Sequence, residues 1–119
     1  MSESSQQIAL IIWWDFQCKY YDLPKFALYS TPNGGTRNVI EAVNLKRQGV
    51  RSGIPDLMLC VPRGGFHGLY IEMKWDKNKC STEQSEVLLF LQQQDYKTAV
   101  CYDWELAKEI IINYLTKGN

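Results

Sequence analysis

Two apolar, strand-like runs, DLMLCV (56–61) and GLYIEMKW (68–75), are joined by PRGGFHG, and this pair does most to limit what the chain can fold into. Apolar runs of that length bounded by Gly and Pro read as strands, and Gly64-Gly65 between them reads as the turn of a hairpin. Side chains alternate along a strand, so Ile71, Met73 and Trp75 point one way and Glu72 and Lys74 the other. A turn about Gly64 and Gly65 then sets Asp56 roughly opposite Glu72, on the face that carries Lys74. Charged groups inside a buried pattern are costly unless something pairs with them. Two readings are open here: a surface hairpin whose charges are solvated, or a site.

The rest of the chain supplies the layers around that hairpin. A first helix is predicted over 4–20, with Ser4 and Gln7 at capping-box spacing and Leu23-Pro24 beyond its end. FALYS (26–30) is a short strand, and Asn33-Gly34-Gly35 after it is a turn signal. A second helix is predicted over 36–48, with Gly49 in the C-terminal glycine position. Ser81 and Gln84 form a second capping box, opening a third helix that runs to Gln94. TAVCY (98–102) is a last strand, and Asp103 caps a final helix ending at Leu115. The order αβαββαβα mixes hairpin and crossover connections, which implies an α/β fold with a mixed sheet between helices. At 119 residues, 1–119 reads as a single domain.

Composition excludes several functions. Hydrophobic residues make up 45% and aromatic residues 13% of the chain, which argues for a folded globule. The longest apolar run, Ile8 to Trp14, is broken by Asp15, so no membrane span is expected. MSESSQQ carries no basic residue ahead of that run and does not read as a signal peptide. Cys18, Cys60, Cys80 and Cys101 are scattered, without a CxxC pair, and His67 is the one histidine; a Cys/His zinc site is not expected. Such thiols suit a reducing cytosol, and Cys60 and Cys101, in strand-like runs, read as buried small hydrophobes. Between Lys25 and Lys79 nine basic residues face four acids, net +5 in a chain of net charge zero. A polyanion binder would show such a basic middle, and so would ordinary solvated surface. Trp13, Trp14, Phe16, Tyr20 and Tyr21 read as core or a dimer surface rather than a base-stacking platform, and His67 as an exposed loop residue.

Two carboxylates a few ångströms apart repel, and each favours its protonated form unless a cation lies between them. A divalent ion removes that conflict, and all-oxygen ligands select Mg²⁺ or Mn²⁺ over zinc. An ammonium beside the ion can hold a phosphate oxygen or orient a water, which is chemistry for phosphodiester hydrolysis.

The series G-I-P-D-L (53–57), G-L-Y-I-E-M-K (68–74) and S-T-E-Q (81–84) resembles the PD-(D/E)xK nuclease superfamily. More narrowly it is similar to the virus-type replication-repair nuclease (VRR-NUC) domain, which also has an early glutamate in its first helix, a P-N-G-G-x-R segment and a G-V-x-x-G-x-P-D approach. Here these read Glu3, Pro32 to Arg37, and Gly49 to Asp56. The resemblance implies an αβββαβ nuclease core in which Asp56, Glu72 and the backbone carbonyl of Met73 hold the metal. Lys74 would position or activate the attacking water. Gln84 would lie beside the site, in competition with its capping role, and Glu3 would reach the metal. Arg37, Lys46, Arg47 and Arg51 would contact phosphates. Stand-alone relatives are typically phage or prophage proteins that form homodimers and cut branched DNA in the manner of Holliday junction resolvases. They act in the bacterial host cytoplasm, with no membrane and no organic cofactor. A restriction-like or nonspecific nicking nuclease, and a non-catalytic nucleic-acid-binding module on the same fold, are the rival expectations.

Overall fold

The hairpin closes where the glycines place it. Arg63 and Phe66 exchange backbone hydrogen bonds of 3.1 and 2.8 Å around Gly64 and Gly65, whose φ angles are +58° and +86°. Consecutive positive φ values give the turn whose twist matches antiparallel strands, and glycine adopts them without steric cost. The structure, a computed structural model, describes residues 2–32 and 38–117.

Helix α1 (Glu3–Gln17) leads through two short 3₁₀ turns to strand β1 (Leu28–Ser30), then helix α2 (Val39–Arg47). The hairpin strands are β2 (Leu57–Leu59) and β3 (Leu69–Met73), followed by helix α3 (Thr82–Gln93), strand β4 (Lys97–Cys101) and helix α4 (Trp104–Lys117). The sheet order is β1-β2-β3-β4; the first two pairings are antiparallel and β3 pairs parallel to β4. A parallel pair needs a crossover, which α3 supplies. The fold is thus a mixed α/β sheet flanked by helices, with α2 inserted between β1 and β2 of the αβββαβ order and α4 added at its end.

One sheet face is aliphatic and closed. Leu57, Leu59, Leu69, Ile71 and Met73 are fully buried with Leu10 and Trp14 of α1 and Ala107, Ile111 and Tyr114 of α4. Burying such side chains contributes about 1.5–3 kcal/mol each. Polar tips on this side are paired: Trp14 Nε1 donates to the Lys25 carbonyl at 2.9 Å, and Tyr114 Oη to the Val61 carbonyl at 2.7 Å. The side chain of Gln6 accepts the Trp104 amide at 2.9 Å, tying the start of α4 to α1.

Several sequence expectations shift. The first helix is capped by Ser2, not Ser4: Ser2 Oγ accepts the Ser5 amide at 3.1 Å and Ser5 Oγ accepts the Ser2 amide at 2.7 Å. Either serine fits the capping pattern, and the earlier one gains helix and still closes both bonds. Cys60 is exposed rather than buried, because Leu57, Leu59 and Val61 take the core face and alternation turns Cys60 away. Trp75 lies beyond the end of β3 and is 38% exposed. Trp14 is core, whereas Phe16 and Tyr20 are exposed. The 33–37 segment, with the turn signal, the predicted start of the second helix and Arg37, lies outside the described residues; α2 begins at Val39, capped by Asn38. Among the described residues no helix is long and apolar enough to cross a membrane.

Candidate active site

The second sheet face carries the charges. Leu57 pairs with Ile71, so the same register sets Asp56 opposite Glu72. Glu72 is 2% exposed and Lys74 8% exposed, an unusual depth for charged groups without partners. Here they have partners. Lys74 Nζ lies 3.5 Å from Glu72 Oε2 and donates to Gln84 Oε1 at 2.7 Å. Gln84 Nε2 donates to Glu72 Oε2 at 2.9 Å.

The capping box of α3 brings Gln84 to this place. Ser81 Oγ accepts the Gln84 amide at 3.1 Å, and Gln84 Oε1 accepts the Ser81 amide at 2.8 Å. The cap and the contact with Lys74 are therefore one arrangement: one carboxamide oxygen takes both the cap N–H and the Lys74 ammonium. Two donors at Oε1 and an acceptor at Nε2 permit a single orientation of that amide.

Asp56 is fixed from two sides. Its Oδ2 accepts the Met73 amide at 2.8 Å, where β3 runs past the end of β2. Thr31 donates its amide to the Asp56 carbonyl at 2.9 Å and its hydroxyl to the Pro55 carbonyl at 2.5 Å. Thr31 was not singled out in the sequence; it follows from pairing one residue past Ser30↔Leu57. Upstream, Gly53 has φ +85° and packs against the Glu83 backbone, while the Ser52 hydroxyl bonds the Glu83 carboxylate. The approach to Asp56 is thereby docked on the first turn of α3.

Burial first, and then the Asp56 carboxylate, push the Glu72 pKa up to about 7 against the opposing pull of Lys74. Burial and Asp56 likewise raise Glu3, with Lys74 opposing, so Glu3 stands in electrostatic range of both. Glu72 Oε1 is buried and makes no hydrogen bond among the described residues. Leaving an anionic oxygen in that state is expensive unless a cation meets it. Among the described residues no three His, Cys, Asp or Glu side chains converge as a ready metal cage. Two carboxylates and a strand-end carbonyl still fit Mg²⁺ or Mn²⁺, since Mg²⁺ usually keeps several waters and is held by one or two carboxylates plus substrate phosphate.

Lys46 and Arg47 end α2, and Arg51 lies in the loop toward Asp56; all three are exposed. His67 is exposed, with its ring edge-on to Tyr96.

A family model described as the VRR-NUC domain matches residues 1–104. The chain belongs to the VRR-NUC family. A solved structure titled "VRR_NUC domain protein" is similar over 100% of this chain and 92% of that one, at 27% identity and a TM-score of 0.83. A comparison with curated proteins gave no match. As a VRR-NUC chain it carries a nuclease-family fold, and nucleic acid is the implied substrate class. The family match stops at the first residue of α4, although Ala107, Ile111 and Tyr114 beyond it complete the core.

Proposed function

We propose that residues 1–119 form one nuclease domain, a Mg²⁺- or Mn²⁺-dependent DNA endonuclease that hydrolyses phosphodiester bonds in branched DNA. The observation that carries the reading is the buried Glu72 Oε1 beside Asp56, without a hydrogen-bond partner among the described residues, with Lys74 held next to it by Gln84. Asp56 and Glu72 hold the ion. The Met73 carbonyl joins them, because a strand residue's C=O points to the same edge as its N–H, and the Met73 N–H is on Asp56. When bound, the ion offsets charge building on the phosphate and acidifies the attacking water.

Lys74 orients that water or a phosphate oxygen, and Gln84 keeps the ammonium from swinging onto both oxygens of Glu72. Glu3 adds a carboxylate at the rim. Lys46, Arg47 and Arg51, with Arg37 by its place in the motif, contact phosphates of the bound DNA. The exposed α1 stripe of Ile8, Ile12 and Phe16 supports a homodimer, which would present two sites to opposite strands of a four-way junction. Work of this kind belongs to phage or prophage replication, recombination or repair in the host cytoplasm.

A cleavage panel of four-way junction, flap, splayed and duplex DNA with Mg²⁺ and Mn²⁺ tests the reading. Junction cutting well above duplex is expected, and loss of cutting with DNA binding kept is expected for Lys74→Ala. Equal rates on junction and duplex would instead identify a nonspecific or restriction-like nicking enzyme. Cutting of no substrate with either ion would leave a binding module on the same fold.

A further inference from the structure

Side chains cross the open sheet face in rows that keep step with the carboxylates. Tyr29, Met58, Tyr70 and Thr98 are register partners in one row, and the row of Asp56, Glu72 and Val100 lies beside it. Adjacent rows on one face are two residues apart along a strand, about 7 Å. A nucleotide whose phosphate sits at the carboxylates therefore has the tyrosine row under its own base or its neighbour's.

The composition of this row differs from that of the closed face. Where the core side is Leu and Ile, this side has flat rings with polar tips. Tyr29, on the edge strand, is 43% exposed, and its hydroxyl donates to Met58 Sδ at 3.4 Å. Tyr70 is half-buried, and Tyr96 stands edge-on to it with ring centres 5.3 Å apart. Helix α3 shields the β4 part of this face, where Gln92 Nε2 donates to Thr98 Oγ1 at 2.8 Å. Among the described residues, Tyr29 and Tyr70 lie beside the carboxylates without such a bond to a helix. An aliphatic patch would suit another protein core; amphipathic rings continuous with a phosphate site suit nucleobases, whose π-faces stack irrespective of sequence.

We infer that Tyr29 and Tyr70, buttressed by Tyr96, form a stacking subsite for unpaired bases of the DNA strand whose phosphate lies at Asp56 and Glu72. The inference rests on the nuclease reading and sharpens it: the preferred substrate carries a single-stranded segment, a flap or an opened pair, beside the cut.

The test reads binding, not cleavage. Fluorescence anisotropy at one salt concentration compares two flap duplexes that differ only in whether the arm next to the branch has bases or abasic sugars. The phosphate charge is equal, so backbone attraction cancels. The native protein is expected to bind the base-bearing arm about tenfold more tightly, the size of one lost base–aromatic stack. Tyr29→Leu should erase that preference and Tyr29→Trp should keep it, with melting curves confirming that both fold. Equal affinity of the native protein for the two arms overturns the subsite. So does a Tyr29→Leu protein that keeps the full preference, or one that changes only its sedimentation, which would give this face to a second copy of the chain. A protein that cuts nothing with Mn²⁺ yet prefers bases removes the nuclease reading and leaves the stacking subsite standing.

Discussion

Glu72 sits between two demands, and its titration shows which prevails. Folded, its carboxyl is pushed up to about 7 by burial and Asp56; unfolded, it returns to the ordinary 4.5. Between those values the unfolded chain gives up the proton and the folded chain keeps it. This group's stabilising contribution is therefore full below about pH 4.5 and lost as pH rises through about 7. Glu72→Gln cannot ionise, so without added metal its melting temperature should gain on the native protein's as pH goes from 5 to 8. A constant difference between the two would show that the carboxylate is not under this strain. Metal binding needs the ionised form, so below pH 7 the apparent Mn²⁺ affinity should fall about tenfold per pH unit. Calorimetric titration checks this, and Asp56→Asn or Glu72→Gln should abolish the heat. A Mn²⁺ signal that survives both changes would place the ion elsewhere. Glu72 and Lys74 were legible as one face because strand alternation is strict, but Asp56 joins them only through a one-residue offset. Three residues separate Leu59 from Arg63 and two separate Phe66 from Leu69, and without that offset the Gly64-Gly65 turn would set Asp56 opposite Met73. Thr31 and the depth of Lys74 were not, since each depends on a strand or helix distant in sequence.

At the level of elements, the site depends on the docking of the 49–55 approach against α3. Gly53 has φ +85°, and a Cβ there would meet the Glu83 backbone carbonyl at 3.1 Å. Gly49 has a similar φ, +105°, but a Cβ would find open space. Both alanine variants carry backbone strain of about 1–3 kcal/mol, and only Gly53→Ala must also push the loop off α3. Urea unfolding should show the larger loss for Gly53→Ala, together with weaker Mn²⁺ binding; Gly49→Ala should leave the Mn²⁺ affinity alone. The Ser81 cap is the other joint. Ser81→Ala keeps the backbone N–H on Gln84 Oε1 and removes only the hydroxyl that accepts the Gln84 amide. It should cost about 1 kcal/mol as an N-cap loss and, by loosening the first turn that carries Gln84, lower cleavage as well. A purely local cap would lower stability alone. Element order and both ends of α3 could be read from capping and turn residues, because those signals are local. The start of α1 and the exposure of Cys60 could not, since neighbouring serines cap equally well and the burial of a strand residue depends on which face the helices cover.

For the whole molecule, α1 is apolar on two sides. Leu10 and Trp14 face the core with no exposure, while Ile8, Ile12 and Phe16 are 56%, 55% and 72% exposed at four-residue spacing. One helix face cannot pack inward on both sides, so the outer stripe is surplus to the monomer's core. Ile8 and Ile12 line one surface groove with Glu3, so a partner seated along the stripe would lie next to the carboxylates and set the distance between two sites. Ile12→Asp puts a charge in the middle of the stripe without touching Leu10 or Trp14. Analytical ultracentrifugation should show the native protein as a dimer and this variant as a monomer, folded by circular dichroism, with a lower melting temperature that no longer rises with protein concentration. On a four-way junction the monomer should nick one strand at a time, and paired cuts should disappear while single nicks persist. A native protein that sediments as a monomer at micromolar concentration, or an Ile12→Asp protein that still cuts both strands in concert, would mean that the stripe serves another partner and that symmetric cleavage does not come from this helix.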